Sequence, residues 1–235
     1  MEIPILYQDQ DILVCVKSAG VLSEKGGLPE LLREQRGGEI YCVHRLDRAV
    51  GGVLVYARTS TAAAKLSAAV AGRQMDKQYL AVVSGRPELE AAELRDLLYH
   101  DPARNKSYVV RRARRGVREA ASHYTLLDTA AYGPDTVSLL RIRLLTGRSH
   151  QIRVQFASRG MPLLGDGRYG SRYREEHLAL WSWQLCFSHP AMGAAMQFRC
   201  PPPEELPWTL FPALFNGSAA CQQAESVISC SQSFF

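Results

Sequence analysis

The sequence has no apolar run approaching the roughly 18 residues that a membrane-spanning helix needs. It has no C-x-x-C pair among its six cysteines, which argues against a zinc site of the usual ligand spacing. The start, Met1-Glu2-Ile3-Pro4, lacks the basic-then-apolar order of a secretory leader, so no signal peptide is expected. There is no strong bias of charge either. A formal net charge of +5 permits an anionic partner without demanding one. Several cysteines sit in apolar surroundings, as Cys15 does in Ile12–Val16, where a thiol acts as a small buried hydrophobe. A soluble cytoplasmic protein in a reducing compartment is the expectation.

What is present, 235 residues of ordinary globular composition, suits one large domain or two tightly fused halves, long enough to bury a substantial core. Segments 3–7 and 11–16 read as a strand pair split by Asp9-Gln10. A short helix is expected over 28–34, a strand over Val53–Ala57, and a helix capped by Ser60 and running to about Arg73, with Ala63, Leu66 and Val70 on one face. Strands are expected over 77–84, 106–112, 121–128, 136–145, 180–187 and 195–200. Gln151–Arg159 suits a helix, as does a short stretch around 204–214. Strands and helices do not alternate as βαβ units. The fold class expected is therefore α+β, a largely antiparallel twisted sheet with flanking helices. Residues 1–215 are read as one domain. Residues 216–235, rich in Ser, Ala and Gln, are read as a flexible tail.

Charge is uneven along the chain. Between Arg104 and Arg118 lie seven basic residues and no acid, Arg111, Arg112, Arg114 and Arg115 among them. Three further segments carry polar groups that a bland core would not need. His44-Arg45-Leu46-Asp47-Arg48 puts two guanidinium groups and a carboxylate on a loop before Gly51-Gly52 and a strand, the kind of place where catalytic groups sit. Taken alone, such a loop also suits a surface ion pair. Lys77-Gln78-Tyr79-Leu80-Ala81 opens a strand in which Tyr79 has an ordinary core reading. Thr146-Gly147-Arg148-Ser149-His150-Gln151-Ile152-Arg153 turns on Gly147 into a helix, whose start attracts anions.

The ordered set resembles pseudouridine synthases of the RluA type. His44–Asp47 matches the family's H-R-L-D, Lys77-x-Tyr79-x-Ala81 its K-x-Y-x-A, and Thr146–Arg153 its T-G-R-x-H-Q-I-R. Lys17-x-Ala19-Gly20, Gly160-x-Pro162, Gly165-Asp166, Tyr169-Gly170 and Phe187-x-His189-Pro190 add smaller matches, so the likeness spans residues 3 to 212. It implies an enzyme that isomerises uridine to pseudouridine in transfer or ribosomal RNA, without cofactor or metal. It makes Asp47 the catalytic residue, as nucleophile or base, with Arg148 countering the effect of burial on its ionisation and Tyr79 stacking on the target base. Arg45 is implied to fill the space left by the flipped base. His44, Arg45, His150, Arg153 and the arginines at 111, 112, 114 and 115 are the expected RNA contacts. The chain is expected to act as a monomer without an obligate protein partner and to begin directly in the catalytic domain, without the small S4 module of many relatives.

One departure stands out. The family continues H-R-L-D-x-[DE]-T-S-G, whereas here Ala49, Val50 and Gly51 replace the acid and both hydroxyl residues, and Ser18 replaces a proline. A catalytically silent RNA-binding protein on the same fold is therefore the alternative. A hydrolase built on Ser149 and His150 is disfavoured, because adjacent residues do not set a hydroxyl against the same imidazole and no G-x-S-x-G elbow is present. A metal site from His44, Asp47 and His150 lacks supporting ligand spacing.

Overall fold

The computed structural model describes residues 2–215. The tail expected over 216–235 lies outside them. In chain order the described residues form β1 (Ile5–Gln8), β2 (Ile12–Lys17), α1 (Leu28–Arg36), β3 (Tyr41–Cys42), β4 (Gly51–Ala57), α2 (Ser60–Ala71), β5 (Asp76–Ser84), β6 (Ala91–Asp101), β7 (Lys106–Val110), β8 (Val117–Tyr132), β9 (Asp135–Leu144), α3 (Gln151–Ala157), β10 (Leu180–Ser188) and β11 (Ala195–Arg199). They divide into two compact units: residues 2–77 with Ser182–Pro201, and Gln78–Trp181 with residues 202–215. The mix of sheet and a few helices is the α+β class expected.

The first unit is built on β1-β2-β4-β10, with β3 added to β4 and β11 to β10. Asp9 closes the β1–β2 turn because one carboxylate oxygen accepts the N–H groups of Asp11 and Ile12, both at 2.8 Å. β2 pairs antiparallel with β4 from Ile12↔Ala57 to Lys17↔Gly52. Both strands are buried along their whole length, which explains their continuous rather than alternating apolar sequences. α2 packs against β4, burying Ala62 and Leu66; Ala63 and Val70, expected on that face, are only partly covered. Gly52 is fixed by proximity. Its φ is +117°, and a Cβ there would stand 2.3 Å from the Ser182 carbonyl oxygen.

The second unit is an antiparallel run β5-β9-β8-β6-β7. β6 was not expected from the sequence. Its Leu94 and Leu98 are spaced four apart, and Ala91-Ala92-Glu93-Leu94-Arg95 are good helix formers, so cross-strand pairing on both edges overrides local preference. α3 packs against β6 and β7 with Gln151 to Phe156 all buried. Of its polar side chains, Gln155 is satisfied by the sheet: its amide accepts from Ser122 Oγ (2.9 Å) and donates to Asp96 (2.8 Å). The helix expected around 204–214 is two 3₁₀ turns, Trp208–Leu210 and Pro212–Leu214, in a stretch where prolines interrupt the α-helical ladder.

The cap of α2 is Thr59 rather than Ser60. Its hydroxyl accepts the Ala62 N–H at 3.1 Å. Thr59→Ala should lower unfolding free energy by about 1 kcal/mol, and Ser60→Ala should leave it nearly unchanged. Urea denaturation of the two variants checks the assignment, and equal losses would refute it.

Candidate active site

In the first unit the His44–Arg48 segment is a loop whose backbone is fixed from several sides. The turn at Asp47 closes through the Val50 N–H, which donates to the Asp47 carbonyl at 2.9 Å. The Arg48 carbonyl accepts from Gly20 N–H (2.8 Å) and from Lys17 Nζ (3.1 Å). Lys17 is fully buried, and its ammonium also donates to the carbonyls of Ser18 (3.0 Å) and Val21 (2.7 Å). Three carbonyl dipoles thus replace the water an ammonium would otherwise hold. Burial pulls the Lys17 pKa down from 10.5 to about 8, while Asp47 nearby opposes that shift. Ser23 Oγ accepts the Leu46 N–H (3.1 Å) and donates to the Leu46 carbonyl (2.8 Å).

The side chains of this loop divide by exposure. Asp47 is half-buried. Arg45 is exposed and paired with Glu24 at 2.7 Å. His44 is buried. Its Nε2 accepts the Val55 N–H at 3.3 Å, and burial, with Lys77 adding to it, holds its pKa well below 6.5, so the ring is neutral. The RNA-contact reading of His44 is therefore replaced by a place inside the fold. Val50 is buried where the family pattern has a hydroxyl residue, so the turn gains an apolar anchor there.

In the second unit Tyr79 lies on β5 opposite Ile142 of β9 and is buried to 6% exposure. Arg148 is half-buried; its Nε donates to the Glu119 carbonyl at 2.9 Å, and its backbone N–H donates to the Gln151 side chain at 3.0 Å. The same Gln151 oxygen accepts from Thr146 Oγ1 (2.7 Å), and the Gln151 amide donates to the Ala121 carbonyl (3.0 Å). The segment is thus tied to β8 by its own polar side chains. The helix that follows is only seven residues long.

His150 takes a left-handed backbone conformation (φ 55°) and sits 2.9 Å from the Tyr169 hydroxyl, which accepts the Ser107 N–H at 2.8 Å. Arg153, expected at RNA, is buried in a two-bonded pair with Asp166 at 2.7 and 2.8 Å. A guanidinium held so by a buried carboxylate serves the fold. Arg111, Arg112, Arg114 and Arg115 are all exposed, on the link 111–116 between β7 and β8, and Arg114 lies 5.0 Å from the centre of the Tyr99 ring. Sequence reasoning named Lys17 only as a motif match, without its supporting role, and passed over Ser23. Lys17 carried a signal, a charged residue ending an apolar strand; Ser23 carried none.

The model of the RNA pseudouridylate synthase family matches residues 11–158. The chain is 38% identical over 208 residues to the dual-specificity RNA pseudouridine synthase RluA of Escherichia coli K12, spanning 84% of this chain and 92% of that protein. The chain belongs to the RNA pseudouridylate synthase family. It is 31% identical to the ribosomal large subunit pseudouridine synthase D of Pseudomonas aeruginosa, over 89% of this chain and 71% of that one. The solved structure of human RNA pseudouridylate synthase domain containing 1 shares the fold, with a TM-score of 0.76 and 23% identity over 97% of this chain and 91% of its own. A pseudouridine synthase is an isomerase, which fixes the enzyme class. Among the described residues no helix is long and apolar enough to cross a membrane.

The buried ammonium makes a pH prediction. Between pH 8 and 10.5 the unfolded chain still binds the proton that folded Lys17 has released, so unfolding free energy rises with pH across that window. The gain over Lys17→Met should reach a few kcal/mol. Denaturant unfolding of both proteins across the window measures it, and a constant difference would refute the shift.

Proposed function

We propose that this chain isomerises uridine to pseudouridine in transfer or ribosomal RNA, with Asp47 as the catalytic carboxylate. Residues 1–215 supply the catalytic domain, acting in the cytoplasm as a monomer and without a cofactor. The reaction breaks the bond between uracil N1 and ribose C1′ and joins C5 to C1′. The C5 hydrogen leaves as a proton and N1 gains one, so atoms and charge balance with no redox partner. Asp47 acts as an anion, attacking C1′ or removing a sugar proton. Tyr79 stacks on the target uracil, and Arg148 stabilises the anionic carboxylate. Arg45 enters the space that the flipped nucleotide leaves. It must first leave Glu24, a small cost for an exposed ion pair.

The observation that carries this reading is the fixed turn at Asp47. The Ala49-Val50-Gly51 departure favoured a silent RNA-binding protein, because the missing side chains would have supported the loop. Lys17, Gly20 and Ser23 provide support from outside it, and the carboxylate itself is retained. Asp47→Asn keeps the shape and removes the anion. It should abolish pseudouridine formation on RNA taken from cells lacking the enzyme, while RNA binding stays within a few fold. Pseudouridine formation near the parental level would remove Asp47 from the chemistry.

The exposed arginines at 111, 112, 114 and 115 grip RNA backbone rather than read its sequence. Binding at phosphates releases counterions, so changing all four to Gln should weaken binding and flatten its salt dependence. The slope should fall by about 0.7 log units per log unit of salt for each single-strand phosphate left without its arginine. The modified uridine should not change. A salt series of binding isotherms decides this, since an unchanged slope would leave these side chains in solvent.

A further inference from the structure

The residues that hold the Asp47 loop form a strap, residues 20–24, lying alongside residues 45–48 in reverse order. Gly20 N–H donates to the Arg48 carbonyl, Ser23 Oγ binds both backbone groups of Leu46, and Glu24 pairs with Arg45. Neither segment is a regular strand. Exposure separates the three links. The Glu24–Arg45 pair is open to solvent and screened by it, whereas Ser23 is buried to 2% exposure.

Ser23 is itself held from below. Its carbonyl accepts from the hydroxyl of Tyr56, a fully buried residue of β4, at 2.8 Å, and from Cys42 Sγ at 3.2 Å. A rigid central strand therefore fixes Ser23, and Ser23 fixes the residue immediately before Asp47. One hydroxyl satisfies both the N–H and the C=O of Leu46, the task a neighbouring strand performs in a sheet. No side chain at 49–51 offers a hydroxyl that could do this from within the loop.

We propose that Ser23 is a positioning residue for the isomerisation, aiming the Asp47 carboxylate by locking the Leu46 backbone. The inference rests on the reading of Asp47 as the catalytic group. A carboxylate that must meet one sugar carbon or one sugar proton works only within a narrow range of approach. Loosening the preceding peptide lowers turnover without removing any RNA-binding side chain.

The test uses the full chain and transfer and ribosomal RNA from cells lacking the enzyme, labelled with tritium at uridine C5. Release of tritium to water reports the loss of the C5 hydrogen. Ser23→Ala should lower kcat at least tenfold with KM within twofold, and the Leu46 amide should exchange faster with solvent. Ser23→Thr, which keeps the hydroxyl, should stay within threefold of the parent. Thr59→Ala, a stability control in the same unit, should leave kcat unchanged. Should Ser23→Ala lose its fold by circular dichroism, Ser23→Cys carries the same comparison, because a thiol keeps the shape but is a weak donor. Parental turnover in the Ala or Cys variant, a Thr variant as slow as Ala, or an equal loss in Thr59→Ala would each overturn the role of Ser23. Asp47→Asn in the same assay separates the two readings. If it is inactive while Ser23→Ala is parental, only the role of Ser23 falls; if it is active, the Asp47 reading falls first.

Discussion

An ammonium group placed where water cannot follow must find acceptors within the protein, and that requirement shapes the first unit. Lys17 ends a strand buried on every side, and its Nζ gathers the carbonyls of Ser18, Val21 and Arg48. Two of those carbonyls lie just beyond the strand, and the third lies one residue past Asp47. The chain after β2 must therefore curl back on itself, and the loop before β4 must come to meet it. Stranding such a charge is costly, so the loop cannot relax away while the ammonium stays buried. The geometry of the Asp47 turn follows from this demand more than from any preference of Arg48 or Ala49.

The second unit solves a similar problem with neutral amides and one ion pair. α3 is buried along its length yet carries Gln151, Arg153 and Gln155, polar residues that a buried helix normally avoids. Each is spent on a neighbour: Gln151 on Thr146, Arg148 and Ala121, Gln155 on Ser122 and Asp96, Arg153 on Asp166. Satisfied polar contacts of this kind are directional in a way that apolar packing is not. They set the register of the turn carrying Arg148 against β8. Within the T-G-R-x-H-Q-I-R pattern, Thr146, Gln151 and Arg153 thus hold the turn, and Arg148 adds a bond of its own from Nε to the Glu119 carbonyl.

The sequence was readable where burial leaves a periodic or continuous apolar trace. β2, β4, β9 and β10 fall within a few residues of their expected places, and the Asp9 turn is where the hairpin was expected. It was unreadable where pairing overrides local preference, as in β6, whose leucines are spaced for a helix. The capping residue slipped by one because Thr59 and Ser60 are chemically equivalent candidates, and only the direction of the hydroxyl separates them. The site motifs identified the chemistry but not the roles of every member. His44 and Arg153 are polar residues in a functional motif, and nothing in a linear pattern says that one faces a backbone N–H and the other a buried carboxylate. Ser23 was invisible for a related reason: a lone serine in a glycine-rich loop has no spacing to distinguish it.

The arginines show how one side chain serves opposite ends. In Arg153 the Nε and Nη2 edge of the guanidinium is bound to both oxygens of Asp166, and the charge is neutralised within the fold. Arg45 is also paired, yet its partner Glu24 is open to solvent, where Coulomb attraction is weak and the exchange for another anion is nearly free. On the link 111–116 the guanidinium groups stand without an acid in the same stretch of sequence, and Arg114 lies against the Tyr99 ring, which leaves its charge in place. Exposure and the burial of the partner, not residue type, therefore rank these groups by how readily each can take up a phosphate. That order runs from the 111–115 arginines through Arg45 to Arg153, which has none of its fork to give without stranding Asp166 in the interior.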